Sequence, residues 1–158
     1  MVFTGTYEHT IDAKNRLAIP AEIRQQLQEQ SVRSPDEPIY LYVTAGEGES
    51  LCLYTEKEFD RRAEQLNDSD RSPDEILAYE TLFYSFSRRV ELDKNGRVRL
   101  PENILAFARI ESEIVLLGVK DHLQIRNRKT WQDYIKKALA SDSQRLVNPR
   151  RVMKRPQQ

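Results

Sequence analysis

The chain is short of the residues on which most catalysis and most covalent stabilisation depend: one cysteine, two histidines and five glycines among 158 residues. Cys52 has no partner for an internal disulfide, and within Leu51-Cys52-Leu53-Tyr54 it reads as a small buried strand residue of a protein kept in a reducing compartment. No basic or histidine neighbour stands beside it in the sequence to lower the thiol pKa. His9 and His122 lie in non-equivalent places, without metal-ligand spacing. Gly46 and Gly48 sit among acidic residues with no helix directly after them, which is a turn and not a phosphate cradle. A long apolar run is missing, which excludes a membrane-spanning helix. Met1-Val2-Phe3-Thr4 leads straight into the first ordered unit without a signal peptide. Walker motifs, nucleophile elbows and HExxH are absent. The expectation is therefore no enzyme, no catalytic or metal-binding residues, no cofactor, no small-molecule ligand and no membrane partner.

Net charge is lacking as well. Twenty-five basic residues balance twenty-five acidic ones and the sequence pI is near 6.8, whereas DNA-binding domains are usually basic. The distribution is uneven. Residues 1–44 hold 4 basic and 6 acidic residues, 45–80 hold 4 and 11, and 81–158 hold 17 and 8. Such polarity fits one surface for an anion and another kept away from it, and it equally fits a solvated acidic face with a basic tail.

What the chain does have is a repeat. Glu91-Leu92-Asp93-Lys94-Asn95-Gly96-Arg97-Val98-Arg99-Leu100-Pro101 has already occurred as His9-Thr10-Ile11-Asp12-Ala13-Lys14-Asn15-Arg16-Leu17-Ala18-Ile19-Pro20. At a constant offset of 81, Asp12 falls on Asp93, Arg16 on Arg97, Leu17 on Val98, Ile19 on Leu100 and Pro20 on Pro101. Each copy reads as a tight hairpin feeding a short helix. Asn95-Gly96 suits the two left-handed positions of a type I′ turn, and Lys14-Asn15 occupies the same place. Leu17 and Ile19, like Val98 and Leu100, share one face of the outgoing strand. Pro20 and Pro101 end the strands and suit the first position of a helix.

Asp-x-x-x-Arg-(hydrophobic)-x-(hydrophobic)-Pro, doubled some eighty residues apart, resembles the MraZ family of bacterial transcriptional regulators. The resemblance runs from Gly5-Thr6-Tyr7-Glu8-His9 to about Trp131-Gln132-Asp133-Tyr134. It implies two SpoVT/AbrB-like swapped-hairpin domains, a ring-like homo-oligomer, and a cytoplasmic, nucleoid-associated regulator at the promoter of cell-division and cell-wall genes. Asn15 stands where the family usually has glycine, which would stiffen the first turn relative to the second.

The rest of the chain fits two modules. Ile23 and Leu27 lie four apart on a short helix after Pro20, and Gln28 to Pro38 reads as a polar loop. Ile39–Val43 and Leu51–Tyr54 are β-rich runs of a second hairpin. Thr55-Glu56-Lys57-Glu58 and Ser72-Pro73-Asp74-Glu75 are capping boxes, each opening a helix, with Asn67–Ser72 as linker. Ile76, Leu77, Tyr79, Leu82, Phe83 and Phe86 form a broad apolar stripe, expected to be buried between repeats or subunits. Ile114–Val119, Leu123–Arg126 and Asn127–Trp131 repeat the second hairpin and the start of its helix. The expected architecture is mainly β with flanking α-helices, the tandem modules sharing a pseudo-two-fold, barrel-like core. Its divisions are module 1 at 5–56, a helical connection at 57–84, module 2 at 85–128, a C-terminal helix at 129–140 and a mobile basic tail at 141–158.

Two roles remain open for the Asp/Arg pairs. Asp12 with Arg16, and Asp93 with Arg97, can brace a turn as an ion pair, for ~0.3 to 1 kcal/mol if exposed. A guanidinium at a narrow hairpin tip can also grip guanine or phosphate. On that second basis the expected DNA-binding set is Lys14, Asn15, Arg16, Lys94, Asn95, Arg97 and Arg99. Asp12, Asp93, Pro20, Pro101 and Gly96 then serve as the structural motif. The partner would be double-stranded DNA, read as direct repeats. The alternative is an antitoxin-like or scaffold protein-binding module without a DNA target.

Overall fold

Side-chain alternation in eight short strands decides which residues face the core. In the computed structural model, which describes residues 2–31 and 34–147, the chain runs β1 (Thr6–Thr10), β2 (Arg16–Ala18), α1 (Ala21–Gln30), β3 (Ile39–Ala45), β4 (Ser50–Thr55), α2 (Glu56–Asn67), α3 (Pro73–Ser85), β5 (Ser87–Leu92), β6 (Arg97–Arg99), α4 (Glu102–Phe107), β7 (Glu113–Val119), β8 (His122–Asn127) and α5 (Arg128–Val147). The fold is mainly β with flanking helices. Capping is local and follows the sequence: Thr55 Oγ1 accepts from the Glu58 amide at 3.2 Å, and Ser72 Oγ from the Glu75 amide at 3.3 Å.

The repeats are joined by exchange. β3 pairs with β4 and β7 with β8, as two hairpins, but β1 pairs with β7 of the other repeat and β5 with β3. The hairpins then meet through β4 and β8, which gives the sheet order β1-β7-β8-β4-β3-β5. Swapping the repeats reverses this order into itself, so the register places a pseudo-two-fold axis through the Cys52–Gln124 pair, whose members are 72 residues apart. The short strands β2 and β6 form a separate ribbon, with Leu17 opposite Val98, 81 residues apart, on the same axis.

Both faces of the sheet are covered. Leu41, Val43, Leu51 and Leu53 and their counterparts Ile114, Leu116, Leu123 and Ile125 point to the side where Leu17, Val98, Ile19, Leu100, Ile23 and Ile104 pack, all at 2% exposure or less. This layer consists of the ribbon with α1 and α4. On the other face Cys52 and Tyr54 meet Phe59 of α2, whose ring stacks on Tyr42 at 4.0 Å and lies 6.0 Å from Phe83 of α3. Cation–π contacts hold α2 and α5 with their partners exchanged. Arg62 of α2 lies over Tyr54 of β4 at 4.7 Å, while Arg126 of β8 lies 5.8 Å from Tyr134 of α5.

Several expectations need correction. The six strands do not close into a barrel. β1 and β5 are drawn by the exchange to opposite edges, and the face that a barrel would enclose is filled by the ribbon and its helices. The strands flanking each turn do not pair with each other as a hairpin would require. The stripe on α3 is not buried between the repeats: the helix contains no buried residue, and Leu77 and Leu82 are each 64% exposed. Ile76, Phe83 and Phe86 are half-buried: Phe83 meets Phe59 of α2, and Phe86, just past the helix, stacks on Phe107 of α4 at 4.0 Å. α1 continues to Gln30, past the expected start of the loop. α5 runs through 141–147, and the rest of the expected basic tail lies outside the described residues.

Leu17 has no exposed surface and touches the axis from one side. Leu17→Ala is expected to cost about 2 to 5 kcal/mol of unfolding free energy, read from the midpoint of urea denaturation at unchanged slope. With Val98→Ala the losses should not add, because the two side chains share one packing site.

Candidate functional site

The two turns entering the ribbon are built alike. Asn15 N–H donates to the Asp12 carbonyl at 3.0 Å, and Asp12 N–H to the Arg16 carbonyl at 3.0 Å; Gly96 and Asp93 repeat both bonds at 3.0 and 2.8 Å. Only Asn15 (φ 62°) and Gly96 (φ 73°) are left-handed within these turns. That is the pattern of a type I turn followed by one left-handed residue, not the expected type I′. A primed turn matches the twist of two strands that pair directly, and here the flanking strands diverge into different sheets. Asn15 occupies the left-handed position that glycine fills in the second turn, as asparagine is able to do.

The aspartates cap the turns. Asp12 Oδ1 accepts from the Lys14 amide at 2.9 Å and the Arg16 amide at 2.8 Å, while Oδ2 accepts from Arg16 Nε at 2.7 Å. Asp93 Oδ1 accepts from the Asn95 amide at 2.8 Å and the Arg97 amide at 3.0 Å. Its ion pair with Arg97 is longer, 3.5 Å, and Arg97 Nε makes no hydrogen bond. The Arg16 amide lowers the Asp12 pKa and the Arg97 amide that of Asp93, and both outweigh the opposing desolvation. Arg16 is thus pinned more firmly than Arg97.

The ribbon sets these groups side by side. Since Leu17 and Val98 face the core, Arg16, Ala18, Arg97 and Arg99 share the outward face. Arg16 stands opposite Arg99 and Arg97 opposite Ala18. Lys14 and Lys94 lie on the two turns, exposed, as does Asn95. Leu100 N–H donates to the Asn15 carbonyl at 2.8 Å and Ile19 N–H to the Gly96 carbonyl at 2.9 Å, so each turn is clamped by the other repeat. Pro20 and Pro101 serve as N-caps of α1 and α4, one position before the helix, and their carbonyls accept from the Arg24 and Leu105 amides at 2.9 and 3.0 Å. The residues expected to contact DNA and those of the Asp/Pro/Gly motif therefore surround one ribbon, and the two turns border a single surface.

One further cation belongs to the cluster. Arg24 Nε donates to the Ile19 carbonyl at 3.1 Å, and its Nη1 lies 2.8 Å from where a Cβ on Gly96 would stand. In the sequence Arg24 shows no sign of this, because its counterpart 81 residues on is Leu105. The surface suits an anion and offers little for catalysis. Among the described residues no group of histidine, cysteine, aspartate and glutamate side chains is placed to hold a metal. Burial pushes the Cys52 thiol up, against the opposing influence of Tyr54, Arg126 and Arg62. The two arginines are spatial neighbours that the sequence around Cys52 does not disclose. No helix among the described residues is long and apolar enough to cross a membrane.

A lowered folded pKa means that each aspartate contributes stability above the unfolded carboxylate pKa, and that this contribution fades as pH falls through the folded value. Asp12→Ala and Asp93→Ala are expected to lower Tm at neutral pH. The gap from the parent protein should narrow on acidification below the ordinary carboxylate range. Asp12→Ala should have the larger effect, because only Asp12 also holds its arginine by a short hydrogen bond.

The sequence matches the family described as "MraZ protein, putative antitoxin-like" over residues 2–78 and again over 83–151. It is 33% identical over 150 residues to the transcriptional regulator MraZ of Desulfitobacterium hafniense, covering 93% of this chain and 98% of that protein. It is 32% identical over 134 residues to the protein of the same name from Mesoplasma florum, covering 85% and 86%. Both relatives are named as regulators of transcription. The doubled turn, the exchange of strands and the similarity over most of the chain agree: this chain belongs to the MraZ family.

Proposed function

We propose that this protein is a transcriptional regulator that binds double-stranded DNA in a sequence-specific manner through the β2–β6 ribbon. The observation that carries the reading is the outward face of that ribbon, where Arg16, Arg97 and Arg99 stand together beside Lys14 and Lys94. The major groove admits a two-stranded β-ribbon, and guanidinium pairs well with guanine O6/N7. Like charges directly opposite in a ribbon are destabilising. Asp12 offsets the charge of Arg16, while among the described residues Arg99 opposite it has only the Lys14 carbonyl, so an anionic partner would be favoured at this pair. Arg16 uses Nε on Asp12, and among the described residues no hydrogen bond engages its two terminal nitrogens, which suits them to an acceptor on the DNA. The carboxylates of α3 lie in the layer across the sheet, away from this face.

The finer parts of the reading follow from family membership and symmetry. The protein acts in the cytoplasm, at the nucleoid, at promoters of cell-division and cell-wall genes. Copies associate head to tail into a ring, and a ring presents its ribbons in one sense to short direct repeats about one helical turn, ~10 base pairs, apart. The outer face of α3 supports self-association: Leu77 and Leu82 are exposed, and the helix carries Asp74, Glu75 and Glu80 without a basic residue. α5 offers the complement, with exposed Tyr134 and Leu139 on a helix that also carries Lys129, Lys136 and Lys137. The family description favours a second reading, an antitoxin-like module that grips a protein. Salt separates the two, because phosphate contacts make log K fall linearly with log salt by about 0.9 per contact.

Arg16→Ala and Arg97→Ala are each expected to weaken binding to the promoter upstream of the protein's own gene by about 1 to 3 kcal/mol per box, with the circular dichroism spectrum unchanged. Full affinity in either folded mutant would remove that arginine from the interface, and a salt-independent interaction would favour the protein partner. Leu77→Asp combined with Leu82→Asp should yield smaller assemblies in light scattering without loss of Tm, since neither side chain is buried. An unchanged mass would show that this face is not the contact.

A further inference from the structure

We infer that Arg99 is a specificity-determining residue that gives the ribbon a direction, so that each DNA box it reads is non-palindromic; this rests on the reading of the ribbon as the DNA-binding face. A perfect two-fold through Leu17 and Val98 would present identical groups to both halves of a box, and a palindromic box has no orientation along the duplex. The ribbon departs from that symmetry where it faces outward. The counterpart of Arg99, 81 residues earlier, is Ala18. Arg99 is exposed, stands opposite Arg16 and donates from Nε to the Lys14 carbonyl at 3.2 Å, which lays its guanidinium beside the first turn. At the other end Ala18 stands opposite Arg97 and supplies no guanidinium.

A second departure sits at that other end. Arg24 lies against Gly96, tied to the Ile19 carbonyl, while its counterpart Leu105 is buried at 8% exposure. The second turn thus receives its additional cation from α1, and a side chain at position 96 would displace it. At the first turn the same backbone position carries Asn15, with an amide that can donate and accept. One end of the ribbon presents a guanidinium from the strand itself, and the other presents one set behind a glycine. Arg99, on the groove-facing side, reaches a base edge in one half of the box; nothing equivalent reads the other half.

The test is selection of bound sequences from a random duplex pool, using the full chain, Arg99→Ala, Arg99→Lys and Ala18→Arg, with folding checked by circular dichroism. The parent protein should enrich an asymmetric box. Arg99→Ala should flatten preference within one half only and weaken binding to the best box roughly tenfold to a hundredfold. Arg99→Lys should keep most of the affinity but lose the same preference, because a point charge lacks the bidentate fork. Ala18→Arg should make the enriched box more nearly palindromic. A palindromic box for the parent protein overturns the inference, as does an Arg99→Ala mutant that loses affinity evenly across all sequences. If no variant, the parent included, enriches any sequence, the DNA reading of the ribbon itself fails, and the inference with it.

Discussion

Everything in this molecule depends on an exchange of strands across one axis. β1 is held by β7 and β5 by β3, so the first strand of each repeat completes the sheet of the other. The ribbon is the second product of the same exchange, since β2 and β6 have only each other. Leu17 and Val98 anchor it to the core without exposed surface, and the turns before them are clamped by Leu100 and Ile19 from the opposite repeat. The positions of the arginines along the ribbon are therefore set by the core beneath it.

Division of labour between the layers follows from side-chain alternation. Residues of β3, β4, β7 and β8 that pack against the ribbon are mostly aliphatic, Leu41, Val43, Leu51, Leu53, Ile114, Leu116, Leu123 and Ile125, whereas those on the opposite face include Tyr42, Cys52, Tyr54, Gln124 and Arg126. The aliphatic layer supports the cationic ribbon. The aromatic and polar layer carries α2, α3 and α5, with most of the acidic charge of residues 45–80. The acidic helix α3 and the arginines of the ribbon therefore stand on opposite faces of the sheet, while α5, on the side of α3, carries Lys129, Lys136 and Lys137.

The sequence disclosed what is encoded locally or by repetition. Thr55 and Ser72 act on amides three residues away, so their helices begin where the capping pattern places them. The correspondence of Asp12 with Asp93 and of Arg16 with Arg97 marked the two turns that the fold brings together at the ribbon. Which strand pairs with which was harder to see in the residues, because the same alternation serves a local hairpin and an exchanged one; the swapped arrangement came from the family resemblance. Asn95-Gly96 pointed to a type I′ turn, but the dipeptide serves equally where only the glycine takes positive φ, after a type I turn, as Gly96 does here. The stripe on α3 is wider than one chain uses: Phe83 meets α2, whereas Leu77 and Leu82 stay exposed. Arg24 was hidden by the comparison that revealed the rest: a repeat is recognised by its matches, and Arg24 against Leu105 is a mismatch.

The exchange also sets an order of events during synthesis. Thr6 bonds opposite Leu117 and Arg16 opposite Arg99, so the beginning of the chain leaves the ribosome long before its partners exist. The β3–β4 hairpin can close early, but its outer edge waits for β5, and β1 waits for β7. Non-local pairing of this kind is slow and leaves strand edges open to other chains meanwhile. The most vulnerable moment for this protein is therefore the interval when one repeat has emerged and the other has not, and polysomes that crowd such half-made chains invite the exchange to occur between neighbours instead of within one.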